Sequence, residues 1–182
     1  MRTILTPAPL PDAALGELKA WLAITSDAED ALLATLLRSA LDAFEGFTTR
    51  IALETEWEEL LPARPLCWLR LTADPVQAIT AVEAVASDGT RTPIPSDAYA
   101  VELAPDGSAR LRLLRQGGAQ RIALTLTAGM ASEWAALPEA IHHGAIRLAA
   151  HLYRERDSEG GTATPPASVA ALWRPWRRVR LA

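Results

Sequence analysis

The stretch Ser26-Asp27-Ala28-Glu29-Asp30-Ala31-Leu32-Leu33-Ala34-Thr35-Leu36-Leu37-Arg38-Ser39-Ala40-Leu41-Asp42-Ala43-Phe44-Glu45-Gly46-Phe47-Thr48-Thr49 decides the fold. Leu33, Leu36, Leu37, Ala40, Phe44 and Phe47 recur at intervals of three and four, so they form one apolar stripe of an α-helix. Ser26 and Glu29 stand at the spacing of a capping box, in which the hydroxyl and the carboxylate each satisfy a backbone N–H of the first turn. The expected helix runs near 26–49, roughly six turns or 33 Å at about 1.5 Å per residue.

Working outward, Asp12 to Ile24 reads as a short helix with Leu15, Leu18 and Leu22 on one face. Beyond the long helix the period changes from 3.6 to 2. Thr55, Trp57 and Glu59 alternate with Glu56 and Glu58; Tyr99, Val101 and Leu103 share a face, as do Leu111 and Leu113, and Ile122, Leu124 and Leu126. Asp74-Pro75, Asp88-Gly89, Pro105-Asp106-Gly107 and Gly117-Gly118 punctuate these pieces as turns. Residues near 51–129 are therefore expected to form short antiparallel strands. A further helix is expected near 138–156, opening at Pro138 with Glu139 at its positive end and Ile141, Ala145, Leu148, Ala149, Leu152 and Tyr153 as its stripe. Residues 157–166 have the composition of a flexible linker, and Ala167–Trp173 reads as a short C-terminal helix. The fold class is α+β: a mainly helical core with a strand-rich antiparallel insertion. The expected division is a connector domain over 1–156, its helical core being 1–50 with 137–156, then the linker at 157–166 and a C-terminal arm at 167–182.

The 182 residues suit one domain, and 49% apolar residues suit a globular one. A single cysteine, Cys67, excludes an internal disulfide framework and a multi-cysteine metal cluster. Its run Leu66-Cys67-Trp68-Leu69 suggests burial as a small apolar side chain. There is no run of 18 apolar residues, so no membrane span is expected. The N-terminus lacks the apolar core of a signal peptide, which implies assembly in the cytoplasm. The net charge of −4 is uneven: −7 over residues 1–60, −1 over 61–139 and +4 over 140–182. Such asymmetry suits head-to-tail contacts between copies, or contact with an acidic partner, although solvated surfaces are the simpler account of it.

Chemistry-bearing motifs are scarce. Glu139, His143 and His151 can share one side of a helix, but no second metal-binding motif accompanies them. Gly117-Gly118 lacks phosphate-loop spacing, and there is no nucleophile elbow. Glu54, Glu56 and Glu58 alternate on one strand face; with Glu59 they are read as a charged edge or interface rather than as catalytic carboxylates. No catalytic group, metal or cofactor is expected. The end of the chain stands out, because four arginines and two tryptophans fall within Trp173–Ala182. Tryptophan and arginine are frequent interface anchors. Three readings stay open: docking into a protein partner, contact with nucleic acid, where arginines meet phosphates and tryptophans stack on bases, or packing on the chain's own core.

The order of these features resembles the head–tail connector, or adaptor, proteins of long-tailed phages, prophages and gene transfer agents. Leu18-Lys19-Ala20-Trp21-Leu22 and then Ser26–Leu32 resemble the family's opening. Phe44–Arg50 followed by Thr55-Glu56-Trp57 resembles the exit from the long helix into the first strand. Pro75–Val82, Asp88-Gly89 and Tyr99 resemble the central hairpin region, and Leu137–Ile141 with Ala150–Glu155 resembles the third helix. Val169, Leu172, Pro175, Trp176 and Arg177 resemble the closing motif, where the family more often has tyrosine in place of Trp176. The resemblance covers nearly the whole chain. It implies a structural, non-enzymatic protein at the head–tail interface of a phage-like particle, in a ring of twelve copies under the portal protein. A tail-side stopper or terminator would sit below, and DNA would pass through the channel without sequence-specific contact. The implied portal-docking arm comprises Val169, Leu172, Trp173, Arg174, Pro175, Trp176, Arg177, Arg178, Arg180 and Leu181. Glu54, Glu56, Glu58 and Glu59 are the candidate ring interface. The alternative function is a nucleic-acid-binding accessory protein using the same basic tail.

Overall fold

A computed structural model describes residues 1–115, 119–156 and 165–178. They are α+β and divide into two compact units. Met1–Ala8 with Glu54–Met130 form a strand unit, and Pro9–Leu53 with Ala131–Ala182 form a helical unit.

In the helical unit, α1 spans Asp12–Leu22, α2 Asp30–Thr48, α3 Glu139–Arg154 and α4 Ala167–Trp173. The stripe read from sequence is the buried face of α2: Leu33, Leu37, Ala40 and Phe44 are sealed from solvent. α2 packs on α3, whose buried face includes Ile141, Gly144, Ala145, Leu148 and Ala149. Apolar stripes of this width are what drive helix pairing in water. Ala23 and Thr49 close α1 and α2 in the left-handed conformation.

The capping box expected at Ser26 does not form. α2 begins at Asp30, with Glu29 at the cap position and no side-chain cap. Ion pairs have claimed these carboxylates. The Lys19 ammonium binds Asp27 and sits 2.8 Å from Asp30 Oδ1. Glu29 accepts from the Tyr153 hydroxyl and lies 3.4 Å from the Arg156 guanidinium. Charge-assisted bonds are roughly twice as strong as neutral ones, so they win over the cap.

The strand unit contains two antiparallel sheets. One has the order β1-β2-β8-β4-β5, with β1 Arg2–Thr6, β2 Thr55–Pro62, β4 Val76–Val85, β5 Arg91–Pro93 and β8 Arg121–Ala128. The other has the order β3-β7-β6, with β3 Trp68–Arg70, β6 Tyr99–Leu103 and β7 Ala109–Leu113. The N-terminal residues, assigned from sequence to the helical core, are instead an edge strand, with Arg2 opposite Glu59 and Ile4 opposite Trp57. A five-residue segment carries too little periodic signal to be read alone; its partner strand defines it.

Gly89 and Gly107 adopt positive φ at the turns read from sequence. At Gly107 a Cβ would lie 2.4 Å from the Pro75 Cβ, so close packing demands glycine there as well as φ. Gly117 and Gly118 lie outside the described residues. Cys67, expected in the core, is exposed. It follows Leu66, whose left-handed φ of 60° turns this apolar run outward at the entrance to β3.

Candidate functional site

The C-terminal segment is built onto the helical unit. Val169 and Trp173, one turn apart on α4, both point inward, and Trp173 is 0% exposed. The indole meets Phe44 edge-on at 5.3 Å between centroids and Phe47 at 6.4 Å. It fills a notch that only glycine leaves open, since a Cβ on Gly144 would lie 2.2 Å from the indole Nε1. A single 3₁₀ turn, Arg174–Trp176, follows. The Arg177 guanidinium then lies 5.4 Å from the centre of the Phe47 ring, and the Arg178 N–H donates to the Thr48 carbonyl at 3.2 Å.

This corrects the reading of Val169 and Trp173 as docking residues on a freed arm. They are core side chains, because two phenylalanines and a glycine notch supply the apolar site that tryptophan needs. What the segment offers outward is narrower. Arg174, Pro175 and Arg177 are exposed, and Leu172, Trp176 and Arg178 are half-buried. Arg180 and Leu181 lie outside the described residues, as do residues 157–164 of the expected linker. Gly144 was missed from sequence; its signal was a glycine inside an apolar helix, where it costs about 1 kcal/mol relative to alanine and so implies a packing reason.

The four glutamates do not form one surface. Glu54, Glu56 and Glu58 are half-buried, whereas the Glu59 side chain faces inward at 1% exposure. Both Glu59 carboxylate oxygens accept from the Thr72 N–H, at 2.9 and 3.0 Å. Glu59 is thus a structural acceptor and leaves the interface set. Glu56 accepts from the Thr6 hydroxyl at 3.0 Å. Arg91 donates to Glu58 through both terminal nitrogens, one reaching Oε1 at 3.1 Å, and lies 3.4 Å from Glu83.

The hydrogen bond from Arg91 holds the Glu58 carboxyl below its ordinary value. A folded pKa below the unfolded one contributes stability above the unfolded value and loses it as pH falls through the folded value. This contribution is expected to be complete above the ordinary value of 4.5 and to fade below it. Arg91→Gln should flatten the decline of urea-unfolding stability in acid, and only slightly, because solvent screens the exposed Arg91 end of the pair. An unchanged acid slope would contradict this.

The three histidines serve local packing. His142 Nε2 lies 2.6 Å from Glu17 Oε2 and its ring meets Trp134 edge-on at 4.5 Å. His143 meets Trp21 at 5.3 Å, and His151 Nε2 lies 3.0 Å from Glu155 Oε2. Among the described residues no group of three or more His, Cys, Asp or Glu side chains could hold a metal ion. No described helix is long and apolar enough to cross a membrane.

No protein-family model matches the chain, and no curated protein matches it. Solved structures do. A chain in the neck of an empty gene transfer agent particle, computed with C6 symmetry, is 29% identical with a TM-score of 0.81. Chains in the virion of a native gene transfer agent particle, and in the neck of the native particle computed with C12 symmetry, are each 30% identical with a TM-score of 0.78. In each case the match covers 100% of this chain and 97% of the other. The chain belongs to the family of gene transfer agent neck proteins.

Proposed function

We propose that this protein is the adaptor of a phage-like particle: a ring of copies that joins the portal protein to the tail and continues the DNA channel. Whole-length similarity to chains of the gene transfer agent neck carries the reading. The C12 symmetry of one such neck supports twelve copies, and the C6 symmetry of another is compatible with them. The exposed side chains Arg174, Pro175 and Arg177, with the half-buried Leu172, Trp176 and Arg178, form the surface that meets the portal. Arg180 and Leu181, which follow in the sequence, belong to the same proposed docking set. Arginine pairs well with carboxylates in bidentate geometry, and twelve weak contacts held in one ring act together through effective concentration. The opposite partner is a tail-side stopper or terminator. Assembly in the bacterial cytoplasm precedes incorporation into the particle.

Truncation after Pro166 is a poor test, because it removes Val169 and Trp173 from the core. The double variant Arg174→Glu, Arg177→Glu leaves that core in place. It is expected to melt within a few degrees of the parent, since only exposed charges and one cation–π contact worth about 0.5–1 kcal/mol change. In particles it should yield DNA-filled heads without tails. Normal tailed particles would overturn the portal-docking role. Binding of free DNA that weakens steeply with salt would instead point to a nucleic-acid accessory, because phosphate contacts release counterions.

A further inference from the structure

Leu66 is the least expected residue of the strand unit. It is a leucine with φ of 60° and 70% of its surface in solvent. For a side chain with a Cβ, the left-handed conformation costs about 1–2 kcal/mol. It persists because the tip is tied on both sides. The Leu66 N–H donates to the Leu113 carbonyl at 2.9 Å, Pro65 bridges to Leu113, and β3 pairs with β7 immediately after. The result is a rigid apolar projection. Trp68 stands beside it, its ring 4.7 Å from the Arg110 guanidinium and 4.9 Å from that of Arg112. Arg110 is shared with Glu102. Arg70 and Arg112 have no carboxylate partner among the described residues, so the fence around the tip is basic. Strain, exposed apolar area and surplus arginine coincide here, and each is a mark of a binding surface.

The helical unit carries a surface of the opposite character. Between α1 and α3 lies a cleft of about 450 Å³ lined by Ala20, Trp21, Ile146, Glu17, Glu139 and the two adjacent histidines. Its apolar part is Ala20, Trp21 and Ile146; its charged part is the exposed Glu139, with Glu17, which already accepts from Trp134 and faces His142, beside it. Trp21, nearly half exposed, is steadied by His143.

We propose that the Leu66–Trp68 tip of one copy seats in the α1–α3 cleft of the next copy, forming the lateral contact of the ring. The inference rests on the ring reading above and deepens it. A closed ring requires unlike patches to meet, one from each neighbour. Tip and cleft are unlike, and they complement each other in character: apolar projection against apolar floor, arginine fence against glutamate rim. An apolar centre with a charged surround is the usual anatomy of a protein interface. The second copy is the occupant because both halves lie on this chain and because similar chains occur in symmetric necks. The contact replaces the β2 glutamates, of which Glu58 is committed to Arg91 and Glu59 is buried.

Cys67, the only cysteine and exposed at the tip, supplies the test. Parent copies are co-assembled into particles with copies carrying Cys67→Ala and Ala20→Cys, and necks are treated with a short bismaleimide. A cross-linked pair containing one copy of each kind is expected, and only contact between copies can produce it. Partner copies carrying Cys67→Ala and Asp88→Cys set the background. Necks that show a symmetric ring by electron microscopy but cross-link no better than background would overturn the tip-in-cleft contact and leave the ring standing. Necks without a ring of this protein would overturn the ring reading and this contact with it. Leu66→Gly separates interface from fold, because glycine accepts the φ of 60° without strain. Its melting temperature should equal or exceed the parent's, while incorporation into necks in competition with parent copies falls about tenfold, the scale of losing one leucine-sized apolar contact. Equal incorporation would overturn the proposal.

Discussion

Trp173→Ala is expected to cost the helical unit about 4 kcal/mol, within the range for removing a buried aromatic side chain. For a protein of this size that lowers its melting temperature by roughly 10 °C, at about 2–4 °C per kcal/mol. The reasoning rests on what surrounds the ring. Trp173 is fully buried, meets Phe44 at 82° between ring planes, touches Phe47, and fills the notch at Gly144. Among the described residues no hydrogen bond holds the indole N–H, so the loss is one of packing and cavity formation. Trp173→Phe should keep part of the contact and lose less. Differential scanning calorimetry of the isolated protein gives the measurement. A loss below about 1 kcal/mol, the level of an ordinary surface change, would mean that the segment does not depend on the body. It would then act as the free arm that its composition suggests. The outcome bears directly on function. An anchored segment presents Arg174 and Arg177 from a fixed position, and a preorganised surface loses less entropy on docking than a tethered one.

The elements that the sequence discloses are those whose signal is local. α2 shows its period over five turns, and α4 has the bounds read from Ala167 to Trp173 because Pro166 and Arg174-Pro175 mark its ends. Strand parity was equally legible: the alternation that sets Glu56 and Glu58 against Trp57 also sets Glu59 on the inner side. What the sequence hides depends on distant partners. Whether Trp173 faces solvent or core is decided by Phe44 and Gly144, which lie far from it along the chain. β1 exists because β2 offers an edge more than fifty residues later. Cys67 sits in an apolar run, and only the backbone turn at Leu66 shows that the run points outward. The capping box failed for a related reason, since Tyr153 and Arg156, which hold Glu29, lie far outside the window in which caps are read. For the candidate site, the density of arginine and tryptophan was visible, while its division into outward arginines and the buried anchor Trp173 was not. That division reflects packing among helices, which composition does not encode.

The same packing predicts a sign reversal at Gly144. Alanine is ordinarily better than glycine inside a helix by about 1 kcal/mol, so Gly144→Ala would stabilise α3 if the position were open. It is not open. The new methyl would lie 2.2 Å from the Trp173 Nε1, 2.8 Å from Cε2 and 3.0 Å from Cδ1. The indole is wedged against Phe44 and Phe47 on α2, so it has little room to retreat. Overpacking of this kind costs typically about 1–3 kcal/mol, and Gly144→Ala is expected to destabilise by that amount. With Trp173→Ala already present, the clash is gone and the helix preference returns. Gly144→Ala should then stabilise by up to about 1 kcal/mol. The difference between the two effects is the coupling of notch to ring, and urea unfolding of the four proteins in the cycle measures it. Additive effects, with Gly144→Ala equally harmful in both backgrounds, would show that the glycine answers to something other than the tryptophan. A reversal would establish that α4 is seated on α3 in solution, as the anchored docking surface requires.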